Sequence, residues 1–100
     1  MQITETRKNN VVELVLSGRL DVNAAEKLEE ELEHNLSLGA IKLVVLDMQA
    51  LEYISSAGVR VLLSAQKNMR EGREMIIRSP SKFCRQVFEV TGADIFLKIL

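Results

Sequence analysis

The sequence has one cysteine, one histidine and one proline, and nowhere does it carry a long apolar run. Each shortage removes a class of protein. A lone Cys84 cannot close an internal disulfide, and Cys84 with His34 falls short of the thiolate and imidazole set of a structural zinc site. No stretch reaches the roughly 20 apolar residues that cross a bilayer, and the opening residues 1–7, MQITETR, lack the apolar core of a signal peptide. A cytoplasmic protein without membrane insertion is expected. Thirteen Lys and Arg against fourteen Asp and Glu leave a formal charge of −1, which gives no overall attraction to nucleic acid or anionic membrane. No linker, repeat or low-complexity segment interrupts the 100 residues, so residues 1–100 read as one domain. At this length a chain buries roughly 60 to 70% of its unfolded surface and needs no disulfide or metal to fold.

What is present is regular patterning. Val12, Leu14 and Leu16 alternate with Glu13, which predicts a half-buried strand, and residues 2–7 pair with it across the polar turn at residues 8–10. A helix follows over residues 23–36, with Ala25, Leu28, Leu32 and Leu36 on one face, Asn23 as N-cap, Glu26 at the third helical position and Gly39 as its stop. The nearly continuous apolar run at residues 41–47 predicts a central parallel strand. Residues 57–70, with Val59, Val61, Leu62, Leu63, Ala65 and Met69, predict a largely buried second helix stopped at Gly72. A short strand at 74–78 precedes a third helix that opens near Pro80, turns Phe83, Val87 and Val90 toward the core and ends at Thr91-Gly92. Residues 95–100 fit a last edge strand. His34 is expected on the surface and Cys84 as a small core filler.

The order β-β-α-β-α-β-α-β predicts an α/β fold: a mixed four- to five-stranded sheet that opens with an antiparallel hairpin. Right-handed crossovers would place the helices on one face and leave the other partly open. Binding in such sheets favours the carboxyl edge of the strands.

That edge directs attention to LEYISSAG, residues 51–58, between the central strand and the second helix. Ser56 is placed to cap the helix, a role worth about 1 kcal/mol relative to alanine. A nucleophilic serine would need a very small residue two positions earlier, where Ile54 stands, and the single histidine lies in an unrelated helix. No enzyme is expected. Neither glycine-rich phosphate-binding pattern is present, so nucleotide binding at the helix start has little support, and nothing in the chain calls for a cofactor. A third reading, that Ser56 is itself phosphorylated, competes with the helix cap and rests on a family resemblance.

Five segments carry a family resemblance: GRLD at 18–21, LVVLDM at 43–48, YISSAGVRVLL at 53–63, SPS at 79–81 and VTGADIF at 90–96. In this order and spacing, over essentially the whole chain, the sequence resembles a STAS domain of the bacterial anti-sigma factor antagonist family. The resemblance implies a STAS-like fold and a phosphorylation switch. The unmodified antagonist binds an anti-sigma factor serine kinase and so frees a sigma factor, phosphorylation ends the binding, and a metal-dependent serine phosphatase restores it. By motif position Ser56 matches the phosphoacceptor, with Ser55 a second candidate, and Asp21 matches the acidic residue of the neighbouring loop. The docking surface would comprise Asp21, Ser55, Ser56, Ala57, Gly58 and Arg60. Ser55 stands where phosphorylated members usually carry Asp, and the chain stops at Leu100, where many members add a fourth helix. Other members of the fold serve unphosphorylated, as constitutive subunits of transporters or signalling complexes. The oligomeric state is left open.

Charge is unevenly distributed. Residues 21–33 hold six acidic residues and one basic, whereas residues 60–85 hold seven basic and two acidic. Such a split describes two solvated helix faces or a polar molecule whose ends steer docking.

Overall fold

In the computed structural model, which describes all 100 residues, the opening alternation forms a hairpin of β1 (Gln2–Lys8) and β2 (Val11–Leu20). The strands pair antiparallel from Gln2 opposite Ser17 to Lys8 opposite Val11. Asn9 supplies the left-handed turn residue at φ 56°, a conformation that asparagine tolerates better than most. Helix α1 (Val22–Ser37) leads to β3 (Leu43–Ile54), then α2 (Ser56–Lys67), β4 (Glu74–Arg78) and α3 (Lys82–Thr91). Strand β3 runs parallel to both β2 and β4, so the four-stranded sheet has the order β1-β2-β3-β4.

One face of the sheet supplies the core. Val12, Leu14 and Leu16 of β2, Val44, Leu46 and Met48 of β3, and Met75 and Ile77 of β4 are buried beneath the helices. Their alternates Val11, Glu13, Val15, Leu43, Val45, Asp47, Ile76 and Arg78 are only half-buried, as expected for the more open face. Asn35 of α1, wholly buried, ties the helical layer to β1. Its amide donates to Glu5 at 3.0 Å and to the Glu31 carbonyl, and its oxygen accepts from Arg7 at 2.9 Å. A buried amide satisfied on three sides costs little to desolvate.

Several expectations are corrected. Residues 95–100 do not add a strand. After Gly92 the chain turns through a short 3-10 helix at Ala93–Ile95, leaving only a single parallel bridge between Ile77 and Ile99. Residues 51–54 are not loop but the end of β3, which is longer than the apolar run because the open face tolerates polar residues. Helix α1 begins at Val22 under Asp21, not Asn23, and is capped at Leu38 rather than stopped by Gly39. Helix α2 ends at Lys67, five residues before Gly72. Pro80 is buried ahead of α3, whose N-cap is Ser81.

The inward face of α3 also differs. Cys84 and Phe88 are fully buried, while Phe83 and Val90 are exposed. The Ser81 amide donates to the Met48 carbonyl at 3.1 Å and the Cys84 thiol approaches the Leu51 carbonyl at 3.8 Å, which sets the helix rotation against β3. Cys84 is thus the expected core filler, and burial pushes its thiol pKa up, away from reactivity. His34 is exposed.

Candidate docking surface around Ser56

Strands β2 and β3 finish side by side, and the register of their last residues positions the site. Arg19 lies opposite Tyr53 and Leu20 opposite Ile54, and the Ser55 amide donates to the Leu20 carbonyl at 2.8 Å. Reaching this register requires two shifts in the ladder, each adding a residue to β3. The second shift falls between Gly18 and Arg19, and Gly18 adopts φ 89°, which accounts for a glycine at the start of GRLD. Helices α1 and α2 therefore begin at one edge, with their caps adjacent.

The caps are Asp21 and Ser55. Asp21 accepts from the Ala24 amide at 2.9 Å, and Ser55 Oγ accepts from the Gly58 amide at 3.1 Å. Ser56 is therefore not the N-cap expected from the pattern but the first helical residue. The two serines differ sharply in surroundings. Ser55 is 7% exposed with its hydroxyl engaged, whereas Ser56 is exposed and makes no side-chain hydrogen bond within the chain. The amides of Ser56 and Ala57 likewise donate to no backbone carbonyl, as expected in a first helical turn.

Gly58 is fixed by close packing. A Cβ there would lie 2.8 Å from Leu20 Cγ and 2.9 Å from Ile54 Cγ1, so only glycine lets the helix start approach the strand ends. Arg60 is exposed one turn beyond Ser56, on the same helical face. Across the groove between α1 and α2, Glu26 and Glu29 line the side opposite Arg60 and Ser64, so the acidic and basic parts of the surface meet there. The structure thus brings Asp21, Ser55, Ser56, Ala57, Gly58 and Arg60 to one edge. Asp21, Ser56 and Arg60 face solvent, Ala57 is half-buried, and Ser55 and Gly58 lie beneath the surface.

The same edge carries residues that sequence reasoning did not single out. The Arg19 guanidinium lies 4.2 Å from the Tyr53 ring centre, and Tyr53 sits 5.5 Å from Phe83, centroid to centroid. Arg19 and Tyr53 were each inside a motif, but their meeting depends on the register. No group of three or more His, Cys, Asp or Glu side chains converges to hold a metal ion, and no helix is long and apolar enough to cross a membrane.

The fold is a small α/β layer with helices on one face and two capped helix starts at a common sheet edge. The chain belongs to the STAS domain family, which it matches over residues 2–99. It is 36% identical over 93 residues to the "Putative anti-sigma factor antagonist BtrV" of Bordetella bronchiseptica, covering 92% of this chain and 79% of that protein. It is 25% identical over 95 residues to the anti-sigma-B factor antagonist of Listeria monocytogenes, covering 93% and 82% of the two chains. Among solved structures, the anti-sigma factor antagonist SpoIIAA in its unphosphorylated form superposes with a TM-score of 0.83 at 22% identity, over 99% of this chain and 88% of that one.

Proposed function

We propose that this chain is an anti-sigma factor antagonist switched by phosphorylation of Ser56. The unmodified protein docks on an anti-sigma factor serine kinase in the cytoplasm and so frees a sigma factor. Phosphorylation by that kinase ends the complex, and a metal-dependent serine phosphatase restores it. The protein acts by binding, through residues 1–100 as one STAS module, and carries no catalytic group of its own.

The observation that carries this reading is the contrast between two adjacent serines. Ser55 holds the helix start while Ser56 presents a free hydroxyl at the edge. Ser55 in place of the aspartate usual in the family leaves this geometry intact, because Ser and Asp are comparable N-caps. The Ser56 reading therefore does not suffer from that departure, and Ser55 is a poor acceptor.

A phosphate adds about −1.5 to −2 charges, which a helix N-terminus stabilises, so modification leaves the fold standing. Reversing occupancy from almost all bound to almost all free takes about 5.5 kcal/mol of differential affinity. Charge repulsion through water supplies far less, whereas a charge forced into a desolvated contact costs several kcal/mol. Ser56 is therefore placed at the centre of the interface, flanked by Asp21, Ala57 and Arg60, with Ser55 and Gly58 supporting it from below.

The test uses wild type, Ser56→Ala and Ser56→Asp as baits in lysate of the native host, with mass spectrometry of partner and phosphosites. Wild type and Ser56→Ala should retain a serine kinase that Ser56→Asp loses, and phosphate should map to Ser56. A common partner on all three baits with no phosphate would make the protein a constitutive docking subunit instead.

A further inference from the structure

Phe83 belongs by its spacing to an apolar stripe, yet it stands 42% exposed in the first turn of α3. Its ring packs on Tyr53 at 5.5 Å with the planes tilted by 37°, and Arg19 covers Tyr53 at 4.2 Å. The three side chains come from the ends of β2 and β3 and the start of α3, so they share an edge without sharing a segment. Arg19 and Tyr53 are register partners, and the residues that follow them, Leu20 and Ile54, run directly into Asp21 and Ser55. The cluster and Ser56 thus lie at the same end of β2 and β3.

Two properties mark the cluster as more than packing. An aromatic pair left partly in water forgoes the burial that would stabilise it, while neighbouring Cys84 and Phe88 fill the core without its help. Its cations are also unpaired: neither Arg19 nor the adjacent Lys82 forms an ion pair with any carboxylate of the chain. The edge therefore offers an apolar platform with two cations, Arg19 and Lys82, that no ion pair neutralises, alongside exposed Asp21 and Glu52. Tyr and Arg are, with Trp, the side chains enriched at binding hot spots, and stacking holds them in place before a partner arrives, which lowers the entropy lost on docking.

We propose that Arg19, Tyr53 and Phe83 form the affinity-determining half of the docking surface. They receive an apolar side chain flanked by a carboxylate on the anti-sigma factor kinase. This rests on the function proposed above and adds to it a division of labour: the aromatic platform supplies affinity and excludes water, and Ser56 at the same end of the sheet is where a charge interrupts docking.

The test is a calorimetric titration of the purified anti-sigma factor kinase from the same genome into wild type, Phe83→Ala, Arg19→Gln and Val90→Ala, with thermal melts to show that each variant is folded. Val90 is 87% exposed at the far end of α3 and serves as the control. Phe83→Ala is expected to weaken binding about 10- to 100-fold and Arg19→Gln about 10-fold, with Val90→Ala within about twofold. Arg19→Gln should also flatten the salt dependence of affinity. Wild-type binding with all three variants within about twofold would overturn the platform and leave the Ser56 switch standing. No binding by wild type would overturn the proposed function and the platform with it. Sedimentation showing that Phe83→Ala abolishes self-association while kinase affinity is unchanged would assign the cluster to a second copy of this chain and overturn the proposal.

Discussion

Neighbouring serines should respond to substitution in opposite directions. Ser55→Ala removes the oxygen that accepts from Gly58 at 3.1 Å and leaves that amide buried without a partner. Loss of an N-cap costs about 0.5–2 kcal/mol, and the buried site here places the expected cost at about 1–2 kcal/mol. For a domain of this size the melting temperature should fall by about 5–15 °C. Ser56→Asp places a negative charge in the first turn of α2, worth about 0.3–1 kcal/mol, and opposite Arg60 four residues on, worth about 0.2–0.5 kcal/mol. Repulsion from exposed Asp21 offsets part of this, so the net gain should be about 0.5–1 kcal/mol and a few degrees of melting temperature. Thermal and urea denaturation measure both. Raising salt to about 0.5 M should erase most of the Ser56→Asp gain while leaving the Ser55→Ala loss in place, since only the former is a screened surface charge. A Ser55→Ala protein with unchanged stability would show that Ser55 does not carry the cap and would refute the assignment.

Gly58→Ala should destabilise by about 1–2 kcal/mol despite its better helix propensity, because the new methyl meets Leu20 Cγ at 2.8 Å; urea denaturation checks this. On the open sheet face, Arg78 bonds Asp47 at 2.9 Å and Glu13 at 3.0 Å. Burial works to raise the Asp47 pKa, but the Arg78 hydrogen bond, the Gln49 amide and the Arg78 charge outweigh it, holding the carboxyl below its ordinary 3.8. Ionised Asp47 therefore stabilises the fold above its unfolded pKa, and the benefit disappears as pH falls through the folded value. Acid titration of stability should show a steeper loss below about pH 4 in wild type than in Asp47→Asn. Arg73 reaches from the start of β4 to the Leu36 and Leu38 carbonyls at the end of α1. Arg73→Ala should cost about 1–3 kcal/mol and speed amide exchange at Leu38 and Ile41, read by denaturation and hydrogen exchange.

Local patterns were enough for the element order up to the third helix, the hairpin, the parallel central strand and the motifs around Ser56. Alternation in residues 11–16 and the helical spacing of Ala25, Leu28 and Leu32 report directly on which side chains are buried, since strand and helix periods are properties of the backbone itself. Long-range packing decided the rest. Helix α3 carries two apolar stripes, and packing of Cys84 and Phe88 into the core, with Ser81 bonded to Met48 and Cys84 against Leu51, selects the one that turns inward. The cap of α2 falls on Ser55 because the Ser55 amide is held by Leu20 across the sheet, a contact between residues 35 positions apart. The meeting of Arg19, Tyr53 and Phe83 depends on two ladder shifts that no local propensity encodes. The order and spacing of the motifs carried the resemblance to the family and, through it, the candidate serine. Which serine is buried, and what surrounds the exposed one, was decided by the register between strands, because register depends on contacts that exist only once the chain has folded.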